Sequence, residues 1–169
     1  KKITEDKGAS ENLNAALKLA MGDYILFSDQ KTVPSPDALF WMIKAVTEKK
    51  ADMIYTDEDE VSTDGKHHYD PKFKPDFNLF RLRENNYIGQ FWAIRRDVLE
   101  QSGKFRPEYD GAQNFDMILR CCEQAKKIVH IPRVLCHCME NENGESHKQQ
   151  KAWEAGRRAL EDHYNRTQL

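Results

Sequence analysis

An aspartate that closes an apolar run, Gly22-Asp23-Tyr24-Ile25-Leu26-Phe27-Ser28-Asp29, is the feature of this sequence best placed for chemistry. Tyr24 to Ser28 has the length and apolarity of a buried strand. Asp29 then falls at its carboxyl end, where open α/β sheets bind their ligands. A site gripping a metal-bound diphosphate wants a second acid there, and the chain supplies Gln30, Lys31 and Thr32 instead. A second set, Asp57-Glu58-Asp59-Glu60, follows another apolar run, Met53 to Thr56. It reads either as a solvated acidic loop or, from its place after a buried strand, as part of a substrate cleft through Asp57 and Asp59. His130, Cys136, His137 and Cys138 invite a zinc reading. Alternate strand residues point to opposite faces, so Cys136 and Cys138 share a face that His137 does not. Structural zinc also prefers two separated ligand pairs, and the cysteines are therefore read as small core residues.

The elements that must position these groups are legible in outline. Lys1 to Thr4 has the pattern of a short strand. Ser10 is suited to cap a helix striped by Leu13, Ala16, Leu17 and Ala20 and ended by Gly22. Ser35-Pro36-Asp37 opens a second helix, with Leu39, Ile43 and Val46 as its apolar face and its end near Lys49 and Lys50. Strand, helix and strand over 24–56 predict a parallel pair joined by a crossover. Asp64-Gly65 marks a hairpin between Val61-Ser62-Thr63 and His67-His68-Tyr69. An extended stretch over 71–76, a short helix over 77–82, a strand over 87–94 and a short helix over 97–102 follow. A helix over about 112–125 is striped by Phe115, Leu119 and Cys122. Ile128 to Ile131 and Val134 to Cys138 read as two short strands around Pro132, and Met139 to Gln149 as polar loop. Trp153, Gly156, Leu160 and Tyr164 stripe a last helix. Tyr69, Phe73, Phe77, Tyr87, Phe91 and Trp92 suit either a sugar-binding groove or a core.

The 169 residues carry 39% hydrophobic and 32% charged side chains and a net charge of −2, the profile of one soluble globular domain. Lysine and arginine are scattered, which gives no footprint for nucleic acid. The apolar runs are too short to span a bilayer, and no signal peptide opens the sequence. Four cysteines at adjacent and alternate spacings do not make a secreted disulfide framework, so a reducing, cytoplasmic setting is expected. No Gly-x-Gly-x-x-Gly turn follows a strand, which removes a dinucleotide-dependent dehydrogenase.

Taken in order, these segments resemble the family 2 glycosyltransferases, inverting enzymes with the GT-A fold, a Rossmann-like α/β architecture with a mixed sheet flanked by helices. Lys7-Gly8, Asn12 to Ala16, the Gly22–Asp29 run, Ser35 to Leu39, Ala51 to Asp59, Phe73 to Asn78 and Asn85 to Ile88 carry the first part of the likeness. Phe105 to Gln113, Asp116, Leu119 to Lys127, Ile131 to Leu135 and His137 carry the rest. The resemblance implies a nucleotide-diphosphate sugar donor, a saccharide acceptor, and a Mg²⁺ or Mn²⁺ ion that offsets charge on the leaving diphosphate. It matches the family's Asp-rich metal motif to Asp29-Gln30-Lys31-Thr32, retaining the first acid alone, and its late metal-binding histidine to His137. Asp29, Asp57, Asp59 and Gln113 fall at substrate-facing positions. The family's general base falls on Asn114, whose amide cannot usefully take up a proton. Asp116 is a carboxylate two residues on, turned about 200° away on a helix, and Asn114 and Asp116 otherwise read as helix-start cap and solvated residue.

The likeness divides the chain into a remainder of the nucleotide-sugar half (1–60), an acceptor and catalytic half (61–138) and a C-terminal loop and helix (139–169). The family's first two strand-helix units ordinarily precede the segment matching Lys1–Gly8. A sheet lacking them is expected to leave apolar edges that pair with another copy. Two functions follow: a sugar transferase impaired in this form, or a non-catalytic module of the same fold that binds glycan or nucleotide or pairs with an active partner.

Overall fold

The computed structural model describes residues 8–139 and 146–168. Its elements run α1 (Ala9–Leu17), β1 (Tyr24–Phe27), β2 (Thr32–Pro34), α2 (Ala38–Lys49), β3 (Met53–Val61), β4 (His68–Lys72) and α3 (Leu79–Glu84). They continue with β5 (Trp92–Arg95), α4 (Arg96–Ser102), a 3₁₀ turn (Pro107–Tyr109), α5 (Gln113–Gln124), β6 (Ile128–Met139) and α6 (Ser146–Thr167). The strand expected at Lys1–Thr4 lies outside the described residues. By packing the chain divides into a sheet unit, Tyr24–Arg95 with Ala125–Glu142, and a helical unit, Lys1–Asp23, Arg96–Gln124 and Asn143–Leu169. Among the described residues, no helix is long and apolar enough to cross a membrane.

In the sheet unit the strands are ordered β1-β5-β3-β6-β2, with β4 also paired to β3. β3 and β6 run parallel; the other pairings are antiparallel. The expected parallel pair is thereby corrected. β1 and β3 point the same way but are separated by β5, which is antiparallel to both. β3 also continues through all four acids to Val61, so they are strand residues and not a loop. A strand hydrogen-bonded on both sides has its backbone groups satisfied by the ladder, and that outweighs the poor strand propensity of Asp and Glu. β6 is one bulged strand rather than two. Its register passes from Ile131 to Val134 against consecutive β3 residues, so Pro132 and Arg133 are skipped and the proline owes the ladder no donor. The hairpin at Asp64-Gly65 joins β3 to β4 as its turn residues require.

The core of this unit sets Ile54, Phe91, Ala93, Val129, Ile131 and Leu135 against Ala38, Met42 and Ala45 of α2. That face is turned about 100° from the one expected, and of the expected stripe Val46 packs against this core. Leu39 and Ile43 are about three-fifths exposed while the alanines are buried. Small side chains let the helix backbone approach the sheet closely, and the hydropathy stripe does not register that requirement. The strand expected over 87–94 shortens to β5, which opens on the fully buried Trp92, stacked on Phe27 at 4.5 Å between ring centroids.

In the helical unit, α1 stops at Leu17 rather than at Gly22, and Ser10 lies inside it. The Ser10 backbone N–H is capped by Asp110 at 3.0 Å, while the Ser10 hydroxyl donates to the Arg106 carbonyl at 3.1 Å. On α6 the buried side is Ala155, Ala159 and His163, and Trp153 is exposed. Gly111 has φ +102°, and a Cβ there would meet Ala152 Cα of α6 at 3.2 Å. Glycine is thus required both by backbone conformation and by close approach.

Candidate functional site

The turn after β1 is folded onto its own aspartate. Asp29 Oδ1 accepts from the Lys31 N–H at 3.0 Å and from the Thr32 hydroxyl at 2.6 Å. A carboxylate so placed nucleates a tight turn, a common use of Asp. Thr32 then enters β2, and the Met139 N–H donates to the Lys31 carbonyl at 2.8 Å, tying the turn to the end of β6. For a hard divalent ion this is a poor donor set. One carboxylate is present, one of its oxygens is already held, and Lys31 stands where a second acid is needed. The residues at the family's metal motif therefore do not fit that ion.

The β3 acids are individually partnered within the sheet unit. Asp57 is buried, accepts from the Lys74 backbone N–H at 2.8 Å, and lies 2.8 Å from His130 Nε2. His130 in turn stacks on Tyr55 at 5.0 Å. Glu58 holds the Lys74 ammonium at 2.7 Å and Glu60 that of Lys72 at 2.9 Å. Glu60, and then Glu58 and Asp70 at longer range, raise the Lys72 pKa against a smaller lowering from desolvation. Asp59 is different, because it faces two imidazoles. Its Oδ1 lies 2.5 Å from His137 Nδ1 and its Oδ2 3.0 Å from His68 Nδ1.

Among the described residues, Asp59, His68 and His137 are the group of three whose ligating atoms all lie within 4.8 Å of one another. The structure thus joins His137 to Asp59 and His68, and Asp29 is not a member of that group. His68 is absent from the sequence-derived candidates. Counting outward from the Asp64-Gly65 turn would have found it, since the hairpin pairs Val61 with His68 and so brings that imidazole beside Asp59. Cys136 and Cys138 share a face, as alternation requires. A thiol–thiol hydrogen bond pushes Cys136 up, reinforced by burial, and draws Cys138 down.

The remaining candidates stand at the start of α5, in the helical unit. Gln113 Oε1 accepts from the Gly111 N–H at 2.7 Å, which closes the turn before the helix. Asn114 is half-buried in the first turn. Asp116 is fully buried, with Arg106 and Arg120 on its two oxygens; Arg120 Nη2 lies 2.5 Å from Oδ2. Arg106 also holds Asp162 at 2.6 Å and stacks over Tyr109. Burial alone would favour the neutral guanidine, but the hydrogen bonds to Asp116 and Asp162 outweigh it and hold Arg106 charged above the ordinary arginine range. The sequence left Asp116 open as a solvated residue; instead it is the centre of a buried ion cluster. Of the candidate groove aromatics, Phe91 and Trp92 are core, while Phe73 is three-quarters exposed.

The family model for glycosyl transferase family 2 matches residues 1–103. The O-antigen biosynthesis protein RfbC of Myxococcus xanthus is 34% identical over 157 residues, covering 90% of this chain. The chain spans 12% of that protein's length and 18% of that of a second, uncharacterised relative. Among solved structures, S. aureus TarS 1-349 in complex with UDP-GlcNAc superposes with a TM-score of 0.69 at 18% identity, over 92% of this chain and 47% of that one. Glucosyl-3-phosphoglycerate synthase of Mycobacterium tuberculosis, in complex with Mn²⁺, UDP-glucose and phosphoglyceric acid, gives 0.59 at 14% identity, over 95% and 56%. At such identities the structural likeness carries the fold alone, and that fold is the mixed-sheet α/β architecture of GT-A glycosyltransferases.

Proposed function

From the premise that this chain belongs to glycosyl transferase family 2, we propose that it is a domain built for sugar transfer from a nucleotide-diphosphate donor to a saccharide acceptor, with inversion, and that transfer is impaired in this form. Such transfer needs positive charge at the departing diphosphate and a group that takes the proton of the attacking hydroxyl. The carboxylates those steps require are replaced or committed elsewhere. Asn114 stands at the base position, and an amide has no lone pair basic enough for the proton. Asp116 is buried and held by two arginines, Arg106 and Arg120, which commits its carboxylate to the ion cluster. The adjacent and alternate spacings of Cys121, Cys122, Cys136 and Cys138, unlike a secreted disulfide framework, support a reducing, cytoplasmic setting.

The observation that carries this reading is Asp29, whose Oδ1 is occupied by the Lys31 N–H and Thr32 hydroxyl of its own turn, with a lysine beside it. The same observation favours a second reading, a non-catalytic module of this fold that binds glycan or nucleotide or pairs with an active partner. Calorimetric titration with UDP and Mn²⁺ tests the first claim. Binding weaker than about 10 µM, near −7 kcal/mol, is expected, and a tighter constant overturns the reading.

A further inference from the structure

We propose that Asp59, His68 and His137 form a two-histidine, one-carboxylate metal site that prefers a zinc-class ion to Mg²⁺. The three residues come from β3 and two of the strands paired to it, β4 and β6. Each ligating atom therefore rests on hydrogen-bonded backbone rather than on a loop. Asp59 offers an oxygen to each imidazole at 2.5 and 3.0 Å, and the two rings meet edge to face at 4.4 Å between centroids. Ion–ligand bonds of about 2.0–2.2 Å bring ligand atoms to roughly this mutual spacing around a tetrahedral ion. Small side-chain rotations would then replace the carboxylate–imidazole contacts with bonds to one ion.

Two further observations distinguish this set from a chance pairing of charges. Ser35 Oγ lies 2.9 Å from His137 Nε2, the ring nitrogen turned away from Asp59. The Ser35 hydroxyl donates to the Val134 carbonyl at 3.4 Å, so its oxygen is able to accept from Nε2–H, the tautomer in which Nδ1 ligates once an ion replaces the Asp59 contact, as outer-shell groups do at metal-bound histidines. The His68 side chain is about half exposed, which leaves an open side for the ion to enter and for water or an anionic oxygen to complete its coordination. Imidazole nitrogen favours Zn²⁺, Co²⁺ and Ni²⁺, whereas Mg²⁺ selects carboxylate and water in octahedral array. The carboxylate-rich ion site of the family does not fit this chain at Asp29, and a nitrogen-rich one is built in its place on the neighbouring strands. The inference rests on the ligand set and not on the sugar-transfer reading, so the two fail separately.

The test is titration of the metal-free chain with Zn²⁺, and with Co²⁺ as an optical probe, in the absence of nucleotide. One equivalent of Zn²⁺ is expected to bind with a dissociation constant of about 1 µM or tighter, and Mg²⁺ at least about a hundredfold more weakly. Removing a ligand by His68→Gln should weaken Zn²⁺ at least about tenfold, since loss of even an outer-shell partner has that effect. His68 is exposed enough for that variant to keep its fold, which circular dichroism checks, and His67→Gln serves as the neighbouring control without effect. Zinc binding weaker than about 100 µM overturns the proposal, as does an affinity unmoved by His68→Gln and Asp59→Asn. So does a sulfur-to-cobalt charge-transfer band, which would place the ion on Cys136 and Cys138, or loss of binding in Asp29→Asn.

Discussion

On the proposed reading, Lys31 and Asn114 stand where the family's transferases carry carboxylates, and Asp116 is the nearest acid to the second of them. In a chain carrying the family's N-terminal strand-helix units, Asn114→Asp combined with Lys31→Asp should raise transfer from an activated sugar donor by about 10²–10⁴-fold, the usual contribution of a general base. An unchanged rate in a well-folded double variant would count against this assignment. Asp116 calls for the opposite readout. It is fully buried between Arg106 and Arg120, and removing one member of a buried ion cluster strands the others. Asp116→Ala should therefore cost about 3–5 kcal/mol in urea unfolding. A catalytic Asp116 would instead leave stability nearly untouched.

Helices α5 and α6 are joined by a second polar cluster. Glu123 Oε1 lies 2.6 Å from Nδ1 of the buried His163 and 2.7 Å from Arg166, while Asp162 pairs with Arg106 and Arg166. Burial works to raise both carboxyls. Arg166 and His163 outweigh it at Glu123, and Arg106 with Arg166 at Asp162, so both are held below their ordinary range. Depressed carboxyls bind fewer protons folded than unfolded, so stability rises with pH through this window. The contribution is present above the ordinary values of 4.5 for Glu123 and 3.8 for Asp162 and is lost as pH falls below them. Thermal melts between pH 3 and 6 should show this acid loss, and Glu123→Gln should flatten it. A variant with the same slope would detach the cluster from acid sensitivity.

At the scale of the molecule, β1 stands at one end of the strand order of the described sheet, paired to β5 alone, with Leu26 over a third exposed. An apolar strand at the end of the described strand order invites sheet extension by a second copy. Light scattering at micromolar concentration should find the chain associated, and Leu26→Lys should shift it toward the 19.8 kDa monomer. A wild-type monomer with the Tyr24–Phe27 amides strongly protected from hydrogen exchange would show that this edge is satisfied within one chain.

How far the sequence alone reached depends on the range over which each feature is decided. Residue type and local spacing were enough for the β1 strand and its terminal Asp29, the Asp64-Gly65 hairpin, the α5 helix and the amide at Asn114, because turn chemistry and strand length act over a few neighbours. The family itself was legible in the ordered segments from Lys7 to His137. Which face of a helix is buried was not, since Ala38, Met42 and Ala45 of α2 are selected by a sheet assembled from β3, β5 and β6. Nor was the insertion of β5 between β1 and β3, a pairing settled by competition among all strands. The meeting of Asp59 with His68 and His137 likewise needed the fold, because β3 recruits one partner across a hairpin and the other from nearly eighty residues away. Hydrogen-bond register in a sheet is a nonlocal property, and it determines which side chains can share a ligand.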